Sequence, residues 1–155
     1  FSGSRGLATS LSAATPWWIL CYDVLRDPSE DLLDPDVRER IESLVRGGAF
    51  WGVSGGPVCS SFSSAIVPAW RTKEHPLGVP WANREQQVKL DRGNSFLKWT
   101  QRLMSLCLRT RILFLFENPQ NSHFWRQTGW ATFWSIIAGL EFPGGRRRDS
   151  ERTAP

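Results

Sequence analysis

The sequence contains few of the residues that build metal centres and disulfide frameworks. It has three cysteines and two histidines in 155 residues. Cys21, Cys59 and Cys107 are far apart in the chain, and none belongs to a Cys-x-x-Cys pair. We therefore expect neither a metal site nor a disulfide framework. Unpaired cysteines are typical of a reducing compartment, which predicts the nucleus or the cytoplasm.

Long apolar runs and extreme composition are also missing. No apolar run reaches the roughly 18 residues of a membrane-spanning helix, and no signal peptide is visible, so we expect no membrane partner. Apolar residues make up 41% and charged residues 22% of the chain, which argues against wholesale disorder, collagen and a coiled coil. These values predict one folded core over residues 1–141.

The excess of positive charge is small and local. The net charge is +4, and Arg146, Arg147 and Arg148 supply three of those charges. Such a run is usually a solvated segment, although a basic excess is also compatible with a polyanionic partner. With the glycines and prolines around it, the run predicts a disordered basic tail over residues 142–155.

Short apolar runs alternate with helical patterns along the chain. Three apolar runs have strand character: Trp17–Tyr22, Ala49–Val53 and Ile112–Phe116. Four stretches predict helices: Leu7–Ala14, residues 35–46 between Asp34-Pro35 and Gly47-Gly48, Asn94–Leu108, and Trp130–Ile137. Residues 60–93 are expected to be irregular. The alternation is typical of an α/β fold with a doubly wound, mostly parallel sheet.

The third helix is expected to have two apolar stripes, and most tryptophans are expected in the core. One stripe contains Phe96, Leu103 and Cys107, and Leu97, Met104 and Leu108 lie beside it. The tryptophans of the apolar runs are assigned to core packing, for example Trp17, Trp18, Trp51 and Trp134. His123 is expected to be packed or solvated, with substrate contact as the alternative.

Three groups that could carry chemistry follow the predicted strands, where parallel sheets bind their ligands. Asp23 follows the first strand, about 20 residues after Gly3 and Gly6, a spacing at which nucleotide-binding folds place an acid against ribose hydroxyls. Cys59 follows the second strand in a small-residue loop, and Glu117 follows the third. The corresponding structural interpretations are an ordinary turn, a small apolar residue and a strand-ending Asn-Pro turn.

Two of these groups suit particular chemistry. A cysteine in an open loop can act as a nucleophile when nearby N–H groups lower its pKa. A phosphatase-type cysteine is excluded, because Ala65 stands where that chemistry requires an arginine. A carboxyl group that leaves a buried strand is partly desolvated, which suits Glu117 to proton donation.

The order of these motifs resembles the catalytic core of the DNA (cytosine-5) methyltransferases. That family carries a Phe-x-Gly-x-Gly loop, a Pro-Cys-x-x-Phe-Ser loop and a Glu-Asn-Val motif. Here the corresponding segments are FSGSRG at residues 1–6, GGPVCSSFS at residues 55–63 and FLFENP at residues 114–119. The resemblance covers most of Phe1 to Trp125 and is closest to divergent members with Cys-Ser-Ser-Phe-Ser and Glu-Asn-Pro. Relative to the family, we expect a chain truncated at both ends.

The resemblance implies a Rossmann-like core that binds S-adenosylmethionine and acts on cytosine in DNA. Cys59 would attack carbon 6 of the base, and Glu117 would assist at ring nitrogen 3 while carbon 5 takes the methyl group. The target base must leave the duplex to be reached. The implied cofactor-binding residues are Phe1, Ser2, Gly3, Gly6, Asp23, Asp31 and Pro57.

A second implied set would contact the nucleic acid: Ser61, Ser63, Arg71, Lys73, Arg84, Lys89, Arg92 and Asn118. For the basic residues of the long loop, ordinary surface charge is an equal alternative. Two other functions remain open for the whole chain. One is an inactive nucleic-acid-binding remnant of a mobile-element methyltransferase, and the other is a methyltransferase that acts on RNA.

Overall fold

A computed structural model describes residues 6–127 and 129–139. In this part of the chain the helices and strands are α1 (Gly6–Ala14), α2 (Pro35–Arg46), β1 (Gly52–Gly55), α3 (Arg84–Thr110), β2 (Leu113–Phe116) and α4 (Gly129–Gly139). Short 3-10 turns occupy Pro28–Glu30, Ser60–Phe62 and His123–Arg126. The basic tail predicted for residues 142–155 lies outside the described residues.

Local sequence signals define α2, and its predicted bounds are confirmed. The side chain of Asp34 accepts a hydrogen bond from the Asp36 N–H at 2.8 Å, and Pro35 occupies the first turn. A proline is tolerated there because its missing N–H would have no partner within the helix. The helix ends at Gly47, and Gly48 adopts the positive φ of 69° that glycine tolerates best.

Helix α3 begins at Arg84, ten residues before the predicted start at Asn94. A capping box defines this end, because Asn83 accepts from the Gln86 N–H and Gln86 accepts from the Asn83 N–H, both at 2.9 Å. The first turns carry mainly polar side chains, so apolar periodicity did not reveal them. Only residues 63–83 of the predicted irregular stretch remain outside regular elements before this helix.

The two predicted stripes of α3 face two separate core clusters. Phe96, Leu103 and Cys107 pack with buried residues of α2, including Val37, Ile41 and Val45. Leu97 and Met104 pack with Phe62, Phe124, Trp130 and Phe133, and Leu108 is partly buried against them. The prediction of two stripes is therefore confirmed. Helix α3 is the central element to which α2, α4 and the sheet attach.

The sheet is a parallel pair joined through α3. Gly52 pairs with Leu113 and Gly55 pairs with Phe116. Strand β2 confirms the prediction at Ile112–Phe116 to within one residue. Strand β1 lies further along the chain than the predicted Ala49–Val53, because Ser54 and Gly55 continue the ladder instead of ending it.

The predicted strand at Trp17–Tyr22 is wrong. This segment has no regular secondary structure, and Trp18 is fully exposed. Strand propensity largely reflects packing against neighbouring strands, and no strand pairs with this segment in the described part of the chain. The doubly wound sheet remains a prediction, since the described sheet consists of β1 and β2.

Core packing was also the wrong assignment for four tryptophans. Trp17, Trp18, Trp51 and Trp134 are all more than half exposed. By contrast, Trp99 and Trp130 are buried in the two clusters. Among residues 6–127 and 129–139, no helix combines the length and the apolar character required to cross a membrane.

Candidate functional site

The two motifs that follow the strands lie side by side. Because Gly55 pairs with Phe116 at the end of the parallel ladder, the next residues of both strands leave the sheet at the same carboxyl edge. The Glu117 N–H donates to the Gly55 carbonyl at 3.0 Å and extends the pairing by one step. The loop of Cys59 and the loop of Glu117 are thus brought together, as predicted for these two groups. The prediction that Asp23 also follows a strand of this sheet is wrong, because no strand precedes it in the described part of the chain.

Asn118 bridges these loops. Its side-chain amide donates to the Pro57 carbonyl at 3.1 Å, and its own carbonyl accepts from Trp125 Nε1 at 3.2 Å. The other side-chain atom, Oδ1, is buried without a hydrogen-bond partner among the described residues. A buried acceptor without a partner is costly. Asn118 keeps its position through its hydrogen bonds to Pro57 and Trp125.

The Glu117 carboxylate packs closely against the backbone at Gly56. A Cβ added at Gly56 would stand 2.7 Å from Glu117 Oε1, closer than real contacts allow. The carboxylate therefore lies directly over the backbone that leads to Pro57 and Cys59. Only glycine at this position permits the approach without displacing the side chain.

Cys59 is the most accessible of the three thiols. Its side chain is exposed, whereas Cys21 is half-buried and Cys107 is buried. Burial raises the pKa of the Cys107 thiol to about 11, so Cys107 is an inert core residue. Cys59 is therefore the cysteine most open to solvent.

The turn that starts at Cys59 is anchored by Phe62. The Phe62 N–H donates to the Cys59 carbonyl at 2.9 Å, and the Phe62 ring is fully buried, edge-on to Phe124 at 5.3 Å. Ser122 Oγ donates to the Phe62 carbonyl at 3.4 Å. The exposed thiol is therefore carried on a turn whose far end is fixed in the core.

Arg71 lies behind this turn and not on the surface where a nucleic-acid contact was predicted. It is 2% exposed, as is Ser61. Its Nε donates to the Ser61 carbonyl at 2.8 Å, and its guanidinium carbon is 3.9 Å from the Phe62 ring centroid. Burial lowers the pKa of Arg71 to about 10, so the side chain remains a cation at neutral pH.

His123 is partly buried, in line with the expectation of a packed residue. Burial lowers its pKa, and the positive charges of Arg126 and Arg71 lower it further. Its backbone carbonyl accepts from the Gln127 side chain at 3.0 Å. His123 is therefore neutral at physiological pH and stands near the Arg71 cluster.

The two acids assigned to the cofactor lie in the turns before α2. Asp23 Oδ1 accepts from the Leu25 N–H at 3.0 Å, and Asp31 Oδ1 accepts from the Leu33 N–H at 2.9 Å. Each carboxylate thus closes a turn of its own segment. Their second role, holding ribose and adenine, stays a prediction.

A cleft of about 630 Å³ runs along the segment that carries Asp23. Its walls combine apolar side chains with arginines and an acid: Ile19, Leu20, Cys21, Tyr22, Arg26, Ser29, Glu30, Arg40 and Leu44. Glu30 also accepts from the Asp23 N–H at 2.8 Å. Neither Asp23 nor Asp31 is among the lining residues, so the cleft does not test the cofactor contacts predicted for these two acids.

The remaining predicted contacts to nucleic acid lie on the surface. Ser63, Lys73, Arg84, Lys89 and Arg92 are exposed. Three of them belong to the first turns of α3, where Lys89 pairs with Glu85 at 2.6 Å. Gly6 is the first residue of α1, and Phe1, Ser2 and Gly3 lie outside the described residues.

Sequence reasoning missed four residues that hold the site: Gly56, Gly93, Asn94 and Trp125. Gly93 gave no signal in the sequence, because the predicted helix began one residue later at Asn94. In the structure Gly93 lies inside α3, where glycine is unfavourable by about 1 kcal/mol relative to alanine. A Cβ there would collide with Ser61 Oγ. Asn94 accepts from Arg71 Nη1 at 2.8 Å, a contact that no local pattern announces.

No protein-family model, curated protein or solved structure matches this chain. Within residues 6–127 and 129–139, no group of three or more histidine, cysteine or acidic side chains is placed to hold a metal ion. The features of the site that bear on function are the exposed Cys59 thiol and the Glu117 carboxylate at one edge of a parallel strand pair.

Proposed function

We propose that the chain is an S-adenosylmethionine-dependent methyltransferase of the cytosine-5 type, with DNA as its substrate. The observation that carries the proposal is the convergence of two motifs. The Cys59 loop and the Glu117 loop leave paired strands at the same edge and are bridged by Asn118. Each motif alone is weak evidence, but this chemistry needs both groups around one base.

The roles of the two side chains follow from the electronics of the pyrimidine ring. The Cys59 thiolate adds to carbon 6 and supplies an electron pair, while Glu117 holds a proton at ring nitrogen 3. Electron density then accumulates at carbon 5, which becomes nucleophilic. Bound S-adenosylmethionine would supply the methyl group, with Asp23 and Asp31 as its expected partners. Loss of the proton from carbon 5 allows Cys59 to leave.

The exposure of Cys59 and Glu117 suits a base that arrives from outside. A cytosine within a duplex cannot reach an enzyme nucleophile, so it must first turn out of the stack. The exposed basic residues of α3 and the preceding loop are candidates for the phosphate contacts that hold the strand meanwhile. Buried Arg71 does not belong to that group.

A trapping experiment tests the proposal. The chain is incubated with S-adenosylmethionine and duplexes in which 5-fluorocytosine replaces every cytosine, so that the unknown target sequence is included. Fluorine at carbon 5 cannot leave as a cation, and the thioether to Cys59 persists. We expect a covalent complex resistant to denaturation, with the adduct mapped to Cys59 by mass spectrometry.

Two variants control the experiment. Cys59→Ala should abolish the complex, and Cys107→Ala should leave the adduct at Cys59, because Cys107 is a buried core residue outside the site. An adduct that persists in Cys59→Ala contradicts the assignment of the nucleophile. A fluorinated RNA that is trapped in preference to the DNA would transfer the same chemistry to an RNA substrate. Trapping of neither would leave an inactive binding domain as the better description.

A further inference from the structure

We infer that Arg71 is a positioning residue for the nucleophile: it clamps the turn that starts at Cys59 and sets the rate of the covalent step without touching substrate. The inference rests on the proposed function for its kinetic part. It replaces the sequence-based assignment of Arg71 to the nucleic-acid surface.

Every donor of Arg71 is used inside the protein. Nε donates to the Ser61 carbonyl at 2.8 Å, and Nη1 donates to the Pro76 carbonyl at 2.9 Å and to Asn94 Oδ1 at 2.8 Å. Nη2 donates to Ser61 Oγ at 3.3 Å and to the Leu90 carbonyl at 3.5 Å. An arginine has five donors in a fixed fork, so none remains for a phosphate.

Two of these five bonds, those to the Ser61 carbonyl and to Ser61 Oγ, hold the turn that starts at Cys59. The Ser61 carbonyl belongs to the 3-10 turn Ser60–Phe62, for which Cys59 is the N-terminal cap residue. The guanidinium group also stacks on Phe62, with its carbon 3.9 Å from the ring centroid. Arg71 therefore grips the turn by backbone, hydroxyl and ring at once, and links it to α3 through Asn94 and Leu90.

Stability alone does not explain a buried cation here. In the described part of the chain no carboxylate pairs with Arg71. A buried charge without a counter-ion is unfavourable, and Arg71 offsets this cost through directed hydrogen bonds to neutral acceptors. What an apolar residue cannot supply is five directed bonds that fix one arrangement of the loop. The geometry points to placement of Cys59 as the function of the residue.

Kinetics separate positioning from direct contact. The rate of trapping by the 5-fluorocytosine duplexes is measured against duplex concentration for wild type, Arg71→Lys and Arg71→Met. Lysine keeps the charge and loses the fork. We expect the maximal rate to fall about tenfold in Arg71→Lys, because the loss of one charge-assisted hydrogen bond corresponds to roughly a tenfold change. The maximal rate should fall further in Arg71→Met. The half-saturating duplex concentration should change less than about twofold in both variants.

The matched control is Arg109→Met, at an exposed arginine in the last turn of α3, which should leave both constants unchanged. A loss confined to the half-saturating concentration, with a reduced dependence on salt, would overturn the inference, since that pattern belongs to a phosphate contact. An unchanged maximal rate in Arg71→Lys and Arg71→Met would overturn it as well. If Arg71→Met does not fold, Arg71→Lys decides.

A second measurement does not depend on the methyltransferase proposal. Hydrogen exchange of the Phe62 amide reports the turn directly, because this N–H is bonded to the Cys59 carbonyl. We expect at least tenfold faster exchange in both Arg71 variants, with the amides of α2 unchanged. Unchanged Phe62 exchange would overturn the clamp even if trapping succeeds. Faster exchange without any trapping would keep the clamp and reject the proposed activity.

Discussion

Gly93→Ala tests the packing between α3 and the Cys59 turn. Gly93 lies in α3 where the helix packs against this turn. An added Cβ would overlap Ser61 Oγ, and it would stand 3.1 Å from Phe62 Cε2 and 3.3 Å from Arg71 Nη2. All three neighbours are buried, with exposed fractions of 2% or less. The new methyl group therefore has no neighbour that can move aside into solvent.

Two opposing terms decide the sign of the effect. Replacing glycine by alanine inside a helix stabilises it by about 1 kcal/mol. Overpacking a filled core costs about 1–3 kcal/mol, and here one contact is an overlap and two more are tight. We expect the second term to win, with a net loss of about 1 kcal/mol in the free energy of unfolding.

Urea unfolding of a double-mutant cycle measures this. The cycle contains wild type, Gly93→Ala, Ser61→Ala and the double variant. Ser61→Ala removes the oxygen nearest to the new methyl group, so Gly93→Ala should cost at least about 0.5 kcal/mol less in that background. Lys98→Ala, at an exposed position of α3, should change stability by less than about 0.5 kcal/mol. Stabilisation by Gly93→Ala, or strict additivity of the two changes, would refute the packing argument.

Two further predictions concern the carboxylate and the histidine. Gly56→Ala should displace the Glu117 carboxylate, whose Oε1 lies 2.7 Å from the added Cβ, and should therefore slow trapping. Because Glu117 is exposed, the free energy of unfolding should stay within about 0.5 kcal/mol of wild type. Unchanged trapping would contradict this prediction. Burial lowers the pKa of His123 below the ordinary histidine value of about 6.5, so on acidification the unfolded chain binds a proton at a higher pH than the folded chain does. The free energy of unfolding should therefore fall as the pH drops below about 6.5. In His123→Gln this free energy should fall less between pH 7 and pH 5.5 than in wild type. An identical fall in both proteins would contradict the lowered pKa of His123.

Helix ends were predictable where side chains declare them. Asp34, Pro35 and the glycines at 47 and 48 fixed both ends of α2, because capping and positive φ are local properties. The N-terminus of α3 carried an equally local signal in Asn83 and Gln86, but the first turns of this helix are polar, so apolar periodicity did not include them. A capping box is better evidence for a helix start than the first apolar residue.

Strands were harder to predict because pairing is not local. Ile112–Phe116 was recognised from its apolar run, and it does pair. Trp17–Tyr22 has the same character and does not pair in the described part of the chain. The predicted second strand ended at Val53, but β1 continues through residues 54 and 55. A sequence shows which runs could pair, whereas the partner decides which of them do.

The candidate site divides in the same way. The convergence of the Cys59 and Glu117 loops was predictable, because carboxyl ends of parallel strands meet at one edge. The burial of Arg71 was not predictable, since a basic residue in a polar loop gives no sign that the folded protein provides five hydrogen-bond acceptors for it. Its partners come from residues 61, 76, 90 and 94, which only the tertiary fold brings together.

The register of the sheet connects the fold to the proposed chemistry. Successive residues of a strand point to opposite faces, so a slip of one residue between β1 and β2 would reverse the faces of one strand relative to the other. It would also carry Asn118 away from the Pro57 carbonyl and the Glu117 carboxylate away from Gly56. Phe114 and Phe116 prevent this slip, because both pack inward against the two core clusters. The same apolar alternation that buries β2 therefore fixes the relative placement of the thiol loop and the carboxylate loop.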